Sequence, residues 1–110
     1  MPDRISKDDA NWTFLTNHSH VLICLAKSAS MRIRDIAKAV GITERTVMHI
    51  IADLDKAGYI ERVKDGRCNV YQTHLDCNLR HPLEAHRKIA GLVSFICENV
   101  NDEEGEEFTD

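Results

Sequence analysis

Residues 41–54 read GITERTVMHIIADL, and DKAGYIERVKDGRCNVY follows at 55–71. Thr43 is a good helix N-cap residue type, and the apolar residues after it recur at helical spacing. These apolar residues are Val47, Ile50, Ile51 and Leu54. Gly58 then ends the helix, because glycine adopts the left-handed C-terminal conformation at least cost. The stretch therefore predicts a helix over 43–57 with one buried face.

The opposite side of this predicted helix carries a stripe that is mostly basic: Arg45, His49, Ala52 and Lys56. Steps of four, three and four residues keep these positions in line at about 100° per residue. Arginine can donate two hydrogen bonds to guanine in the DNA major groove, and a small alanine permits close approach to a thymine methyl. Thr43 and Thr46, at the helix start, suit a phosphate. The alternative is an ordinary solvated helix face.

The net charge of −4 is unevenly distributed along the chain. All 14 basic residues precede position 98, whereas residues 98–110 hold seven of the 18 acidic residues. Residues 1–97 therefore carry 14 basic and 11 acidic residues, a net charge of +3. We predict that 101–110 is a disordered, solvated acidic tail. Two alternatives are a segment that competes with DNA for the basic face and a docking segment for a partner.

Bulk composition indicates one soluble domain, and the sequence lacks the common catalytic motifs. The chain has 110 residues, 43% hydrophobic and 29% charged, and its longest apolar run, VLICLA at 21–26, is too short to cross a membrane. No signal peptide begins the sequence, so we expect a cytoplasmic protein with reduced thiols at its four cysteines. Neither a phosphate loop nor a nucleophile elbow occurs, and we expect no enzymatic activity and no cofactor.

Two further helices are predicted before residue 41. After a polar N-terminal arm at 1–15, Thr16 is a suitable cap for a helix that runs to about Lys27. A second, shorter helix has the buried stripe Ile33, Ile36, Ala37 and Val40. Gly41 ends it, which leaves a three-residue turn before the helix at 43–57.

A hairpin is predicted after that helix, with strands YIERVK at 59–64 and RCNVYQTH at 67–74. The Asp65-Gly66 pair between them is a strong signal for a two-residue turn. Such a turn places Lys64 directly opposite Arg67, an unfavourable pairing of like charges unless the tip meets an anion. Arg62 and Asn69 follow behind this pair. The alternative is that the long side chains splay into water.

The last predicted helix covers 80–100, with Pro82 in its first turn. Its apolar residues lie on more than one side, which favours pairing with a second copy, together with the aromatic residues of the arm. The predicted dimer interface is Trp12, Phe14, Leu83, Ile89, Val93, Ile96 and Val100. The alternative is that this helix packs back onto its own domain.

The order helix, short turn, helix and hairpin is that of a winged helix-turn-helix. RIRDIAKAVGITERTVMHIIADLDKAGYIERVKDGRCNVY, at 32–71, resembles the small MarR-like and ArsR-like transcription regulators, and the likeness spans Thr16 to His74. The resemblance implies a homodimer whose second helix enters the major groove and whose wing touches the minor groove or the backbone. It does not identify an effector.

Because ArsR-like regulators include metal sensors, we considered a metal site. Only His74, Cys77 and His81 are spaced so that they could converge, and no tight metal motif is present, so we predict no metal. A redox switch at Cys68 or Cys77 is a further alternative. Cys24 and Cys97 lie among apolar residues and are predicted to be core thiols.

These observations predict a mostly helical α+β protein, a winged helix-turn-helix with a C-terminal dimerisation helix. Its parts are an arm at 1–15, a DNA-binding domain at 16–75, a dimerisation helix at 80–100 and an acidic tail at 101–110. The predicted function is sequence-specific regulation of transcription on double-stranded DNA, by helix 43–57 in the major groove and wing 59–74. The predicted base-reading residues are Arg45, Thr46, His49 and Ala52. The predicted backbone or minor-groove contacts are Thr43, Lys56, Arg62, Lys64, Arg67 and Asn69. The alternative functions are a protein-interaction module that does not bind DNA and a metal- or redox-responsive regulator.

Overall fold

Three helices, a hairpin and a fourth helix follow one another in the order predicted for a winged helix. The computed structural model describes residues 12–66 and 68–104. Within them, the elements are α1 (Asn17–Lys27), α2 (Ile33–Val40), α3 (Glu44–Lys56), β1 (Ile60–Asp65), β2 (Cys68–Thr73) and α4 (Ile89–Glu104). The strands form a two-stranded antiparallel sheet. The predicted fold class is therefore confirmed.

The first three helices begin and end where local capping chemistry places their boundaries. The side chain of Thr16 accepts a hydrogen bond from the backbone N–H of Ser19, and Thr43 does the same for Thr46 at 3.1 Å. Gly41 ends α2 with φ of 87°, a left-handed conformation that costs glycine little. Because these interactions are local, the sequence predicted all three helices to within about a residue.

One hydrophobic core holds the three helices, the hairpin and the start of α4 together. Ile36 of α2 and Val47 of α3 are completely buried, and Leu25 of α1 lies beside them in the same core. The hairpin contributes Ile60 and Tyr71 to this core. The apolar stripes predicted for α2 and α3 thus face a common interior, and their polar sides are left to solvent.

The hairpin pairs Lys64 with Asn69 and Asp65 with Cys68. The predicted pairing of Lys64 with Arg67 is therefore wrong. Gly66, with φ of 67°, occupies the first central position of the connection, a position that demands positive φ in both type I′ and type II′ turns. Asp65 consequently pairs in the ladder, and the opposition of like charges at the tip does not arise.

Backbone hydrogen bonds fix the hairpin to the helical part of the domain. The N–H of Tyr71 donates to the carbonyl of Ala29, in the loop between α1 and α2, at 3.0 Å. The N–H of His74 donates to the carbonyl of Tyr59 at 2.8 Å. The first of these bonds ties β2 to the loop between α1 and α2, and the second closes the base of the hairpin.

The C-terminal helix begins at Ile89, not near Pro82 as the sequence predicted. Residues 77–89 instead fold back on themselves: the N–H of Leu79 donates to the carbonyl of Arg87, and the N–H of Ile89 donates to that of Cys77. His81 Nδ1 accepts from the N–H of Leu83. These backbone groups are satisfied across the loop, so they are not available to a helix at 80–88.

Helix α4 extends to Glu104, into the segment predicted to be a disordered tail. Residues 105–110 lie outside the described residues. Ile89 and Val93 are buried against the domain's own core, so they do not lie on an exposed interface as predicted. Trp12, Phe14 and Leu83 are exposed, and Ile96 is half-buried. The side chain of Val100 lies outside the described residues.

None of the described helices is both long enough and apolar enough to cross a membrane.

Candidate nucleic-acid interface

The outer face of α3 presents the stripe that the sequence predicted. Its four residues are all exposed: Arg45, His49, Ala52 and Lys56. The opposite face holds the buried residues Val47, Ile50, Ile51 and Leu54. Within the described residues, Arg45 and Lys56 have no salt bridge, so their charges remain available to a partner outside the chain.

Two threonine hydroxyls lie together at the N-terminus of α3. Thr43 Oγ1 and Thr46 Oγ1 are 2.8 Å apart, and Thr43 Oγ1 also accepts from the N–H of Thr46. One of the two hydroxyls donates its hydrogen to the other oxygen. The hydroxyl that accepts keeps its own hydrogen, which it can donate to a group outside the protein. A hydroxyl donor at the positive end of a helix dipole is a suitable arrangement for a phosphate oxygen.

The wing lies on one side of this stripe. Strand pairing places Arg62, Lys64 and Asn69 on the sheet face that also carries the buried Ile60 and Tyr71. Arg62 and Asn69 line a groove of about 400 Å³ whose other wall is formed by Met48, Ala52 and Asp55 of α3. Arg67 lies outside the described residues. The wing therefore adds basic groups on the side that faces the recognition helix.

The N-terminus of α1 lies on the other side of the stripe. His18 Nε2 and Asp53 Oδ2 are 2.9 Å apart, and because a carboxylate only accepts, the histidine is the donor. This hydrogen bond is the main cause that holds the pKa of Asp53 below its ordinary value, and the charges of His18, His49 and Lys56 lower the pKa further. Asp53 is thus an ionised carboxylate beside the basic stripe.

Comparison with known proteins agrees with this geometry. The MarR family model matches residues 16–67, from the cap of α1 to the tip of the wing. Residues 16–67 therefore resemble the winged helix of the MarR family. No curated protein matches the chain.

Solved structures of two regulators are similar to this chain. One is MepR, a transcription regulator of the Staphylococcus aureus multidrug efflux pump MepA, with TM-score 0.51, 17% identity and 86% of this chain covered. The other is the PcaV transcriptional regulator from Streptomyces coelicolor, in complex with its natural ligand, with TM-score 0.49, 18% identity and 78% of this chain covered. The chain spans 66% and 60% of their respective lengths. At these identities the likeness to MepR shows the fold.

Three side chains around α3 were missed by sequence reasoning. Met48, which the sequence analysis assigned to neither face of the helix, is 55% exposed. His18 contacts Asp53 across 35 positions of sequence, which no local pattern reveals. Arg80 lines a cleft with His18 and Lys56, because it lies in the folded-back loop and not in a helix.

The candidate metal ligands following the MarR-family segment are not brought together. His74 Nε2 lies 3.5 Å from Glu61 Oε1, Cys77 Sγ donates to the carbonyl of Gly58 at 3.6 Å, and His81 accepts from a backbone N–H. Among the residues that the structure describes, no group of three or more His, Cys, Asp or Glu side chains is placed to hold a metal ion.

The cysteines differ in their surroundings. Burial raises the pKa of the Cys24 thiol, and Cys24 and Cys97 both pack against the core. These contacts agree with the prediction that the two are core thiols. Cys77 is half-buried like these two and also packs against the core, but its Sγ donates to a backbone carbonyl. The side chain of Cys68 lies outside the described residues. A redox role for Cys68 or Cys77 stays a prediction.

Proposed function

We propose that this protein is a sequence-specific, double-stranded DNA-binding regulator of transcription that acts as a homodimer. Helix α3 enters the major groove, and the hairpin contacts the minor groove or the backbone. One observation carries the proposal: the exposed stripe of α3 borders, at Ala52, a groove that Arg62 and Asn69 of the wing line from the other side. A polyanion that spans both elements fits this arrangement, and the MarR-family segment includes both of them.

The residues divide into two roles. Arg45, Thr46 and His49 read base edges, and Ala52 permits close approach of the helix to the bases. The groups that hold the sugar-phosphate backbone or the minor groove are Thr43, Lys56, Arg62, Lys64, Arg67 and Asn69.

The homodimer uses apolar groups that the subunit leaves uncovered. Trp12 and Phe14 stack edge to face with ring centroids 5.2 Å apart, and both are mostly exposed. Leu83 is also exposed, and Ile96 lies half-buried on α4. Covering such side chains in a symmetric interface removes apolar surface from water. Two copies then present two recognition helices to two DNA half-sites.

The test is the salt dependence of binding to duplexes selected from a random-sequence pool. Fluorescence anisotropy measures the affinity between low and moderate salt. Each phosphate contact releases counterions, so log K should fall against log salt by about 0.9 per contact. An affinity that is independent of salt contradicts DNA binding through this face.

A protein-interaction module is the second candidate, and the acidic residues of α3 favour it. Asp53 and Asp55 flank the stripe and are both exposed, and a carboxylate beside a phosphate is unfavourable. The same salt titration separates the two candidates. A chain that binds no duplex at any salt concentration supports the interaction module, whereas a steep salt dependence supports the regulator.

A further inference from the structure

Met48 is a large apolar side chain that the fold leaves in solvent on the recognition helix. It is 55% exposed, whereas Val47 and Ile51 on either side of it in the helix are buried. Met48 lies three residues from Arg45 and four from Ala52, so the three side chains are neighbours on the helix surface. It therefore extends the stripe proposed to meet DNA and does not hold α3 against the core.

Met48 and Ala52 form an apolar strip along one wall of the groove between α3 and the wing. Arg62, Asn69 and Tyr71 line the groove from the wing, and Asp55 adds one carboxylate from α3. The strip of Met48 and Ala52 has a cation on each side, Arg45 from α3 and Arg62 from the wing. Such a surface fits a polyanion that also displays apolar groups, as a nucleic acid does.

We propose that Met48 and Ala52 recognise thymine through its C5-methyl group. The inference rests on the proposed function and names the bases that this face reads. The thymine methyl is the apolar group that base pairs display in the major groove, and apolar side chains contact it directly. Arg45, on the same side of the helix, donates to guanine O6 and N7.

The three side chains are close enough together to contact neighbouring base pairs. Arg45 and Met48 are about 4.5 Å apart along the helix axis, and Met48 and Ala52 about 6 Å apart, at a rise of about 1.5 Å per residue. Neighbouring base pairs are about 3.4 Å apart. Each half-site should therefore contain a guanine close to the thymine that Met48 contacts, on either strand.

The experiment replaces single thymines by deoxyuridine, which lacks only the methyl group. A duplex is first selected from a random pool with the wild-type chain, and each thymine is then substituted in turn. We expect roughly a fourfold loss of affinity at the thymine that Met48 contacts, the factor for exposing one methyl-sized group. Met48→Ala should bind the thymine duplex more weakly and should lose most of the discrimination against deoxyuridine at that position.

Val63→Ala is the matched control, because Val63 is an exposed apolar residue on the other face of the wing hairpin. This variant should discriminate against deoxyuridine as the wild type does. Sedimentation velocity of both variants monitors the oligomeric state. A change of oligomeric state in Met48→Ala alone overturns the inference, because Met48 then contacts protein.

Two other results also overturn it. If the selected duplexes are bound tightly and deoxyuridine has no effect at any position, DNA binding stands and the thymine contact fails. Discrimination that persists undiminished in Met48→Ala likewise excludes Met48. A chain that binds no duplex at all fails earlier, together with the proposed function, so the two failures are distinguishable.

Discussion

At the scale of single residues, the basic groups around α3 differ in what their removal should change. Arg45 projects from the N-terminal half of the helix, where a forked guanidinium can meet one base pair. Lys64 lies near the tip of β1, paired with Asn69, and its ammonium acts as a point charge. We therefore expect Arg45 to carry sequence preference and Lys64 to carry general affinity.

We expect Arg45→Ala to lose about 1–3 kcal/mol of binding free energy and the preference for guanine at one position. Lys64→Ala should weaken binding to all duplexes alike and reduce the salt slope by about one. Anisotropy titrations against duplexes with single base changes measure both effects. Lys27→Ala is the control, since Lys27 lies at the end of α1 beside Cys24 and Val40, away from α3. Equal loss on all sequences in Arg45→Ala would contradict base reading.

The hydrogen bond between His18 and Asp53 links α1 to α3 and makes the free energy of unfolding depend on pH at the acidic end. Because folding lowers the pKa of Asp53, the ionised carboxylate favours the folded state. This contribution is complete above the ordinary carboxyl pKa of about 4 and is lost as the pH falls through the lower pKa of the folded state.

We expect Asp53→Asn to have a slightly lower free energy of unfolding than the wild type at neutral pH. Its stability should also decline less than that of the wild type below about pH 4, because asparagine has no carboxylate to protonate. Because Asp53 is exposed, the effect should be small. Urea unfolding followed by circular dichroism at several pH values measures it. Asp55→Asn, two residues away on the same helix, is the matched control. Identical pH profiles for the two variants would exclude a role for the His18 contact.

At the scale of elements, the recognition helix has two faces with separate tasks. Ile50 faces the core with 4% of its surface exposed, whereas Met48 projects into solvent two residues earlier. The Thr43 cap and the buried face position the helix, and its outer face is left to solvent. Substitutions on the two faces should therefore separate stability from binding.

We expect Ile50→Ala to lower the free energy of unfolding by about 2–5 kcal/mol, because it leaves a cavity in the core. Met48→Ala should change the stability by no more than about 0.5 kcal/mol. Equilibrium unfolding in urea, analysed with a common slope, compares the two variants. A large destabilisation by Met48→Ala would show that this side chain packs within the protein.

At the scale of the whole molecule, the first turns of α4 pack into the hydrophobic core of the same chain. Ile89 and Val93 pack against α1 and the rest of the core. The aromatic pair of Trp12 and Phe14 remains exposed. A dimer that buries this pair would join two winged helices without disturbing either core.

We expect the double substitution Trp12→Ala and Phe14→Ala to convert a dimer into a monomer, because it removes the exposed aromatic pair that the proposed interface buries. Sedimentation equilibrium measures the dissociation constant, and circular dichroism checks that the fold is retained. Val63→Ala, an exposed apolar substitution on the wing, should leave the dimer intact. A wild-type chain that is monomeric at high concentration would contradict the homodimer.

Much of the winged helix could be predicted from the sequence, because its determinants act over a few residues. Thr16 and Thr43 cap their helices through N–H groups three positions away, and Gly41 ends α2 by its own backbone conformation. The apolar stripes recur at the helical period, so the outward position of Arg45, His49 and Lys56 also follows from spacing. These features require no knowledge of the neighbouring elements.

Only the tertiary structure decided the register of the hairpin, the start of the last helix and the contacts between distant elements. The turn at Gly66 placed Asn69 opposite Lys64, and the bonds between 77 and 89 replaced the first turns of the predicted last helix. Ile89 and Val93 joined the subunit's own core, and His18 met Asp53 from a distant helix. A period in the sequence shows which residues share a face, but the element that covers this face depends on contacts between distant parts of the chain.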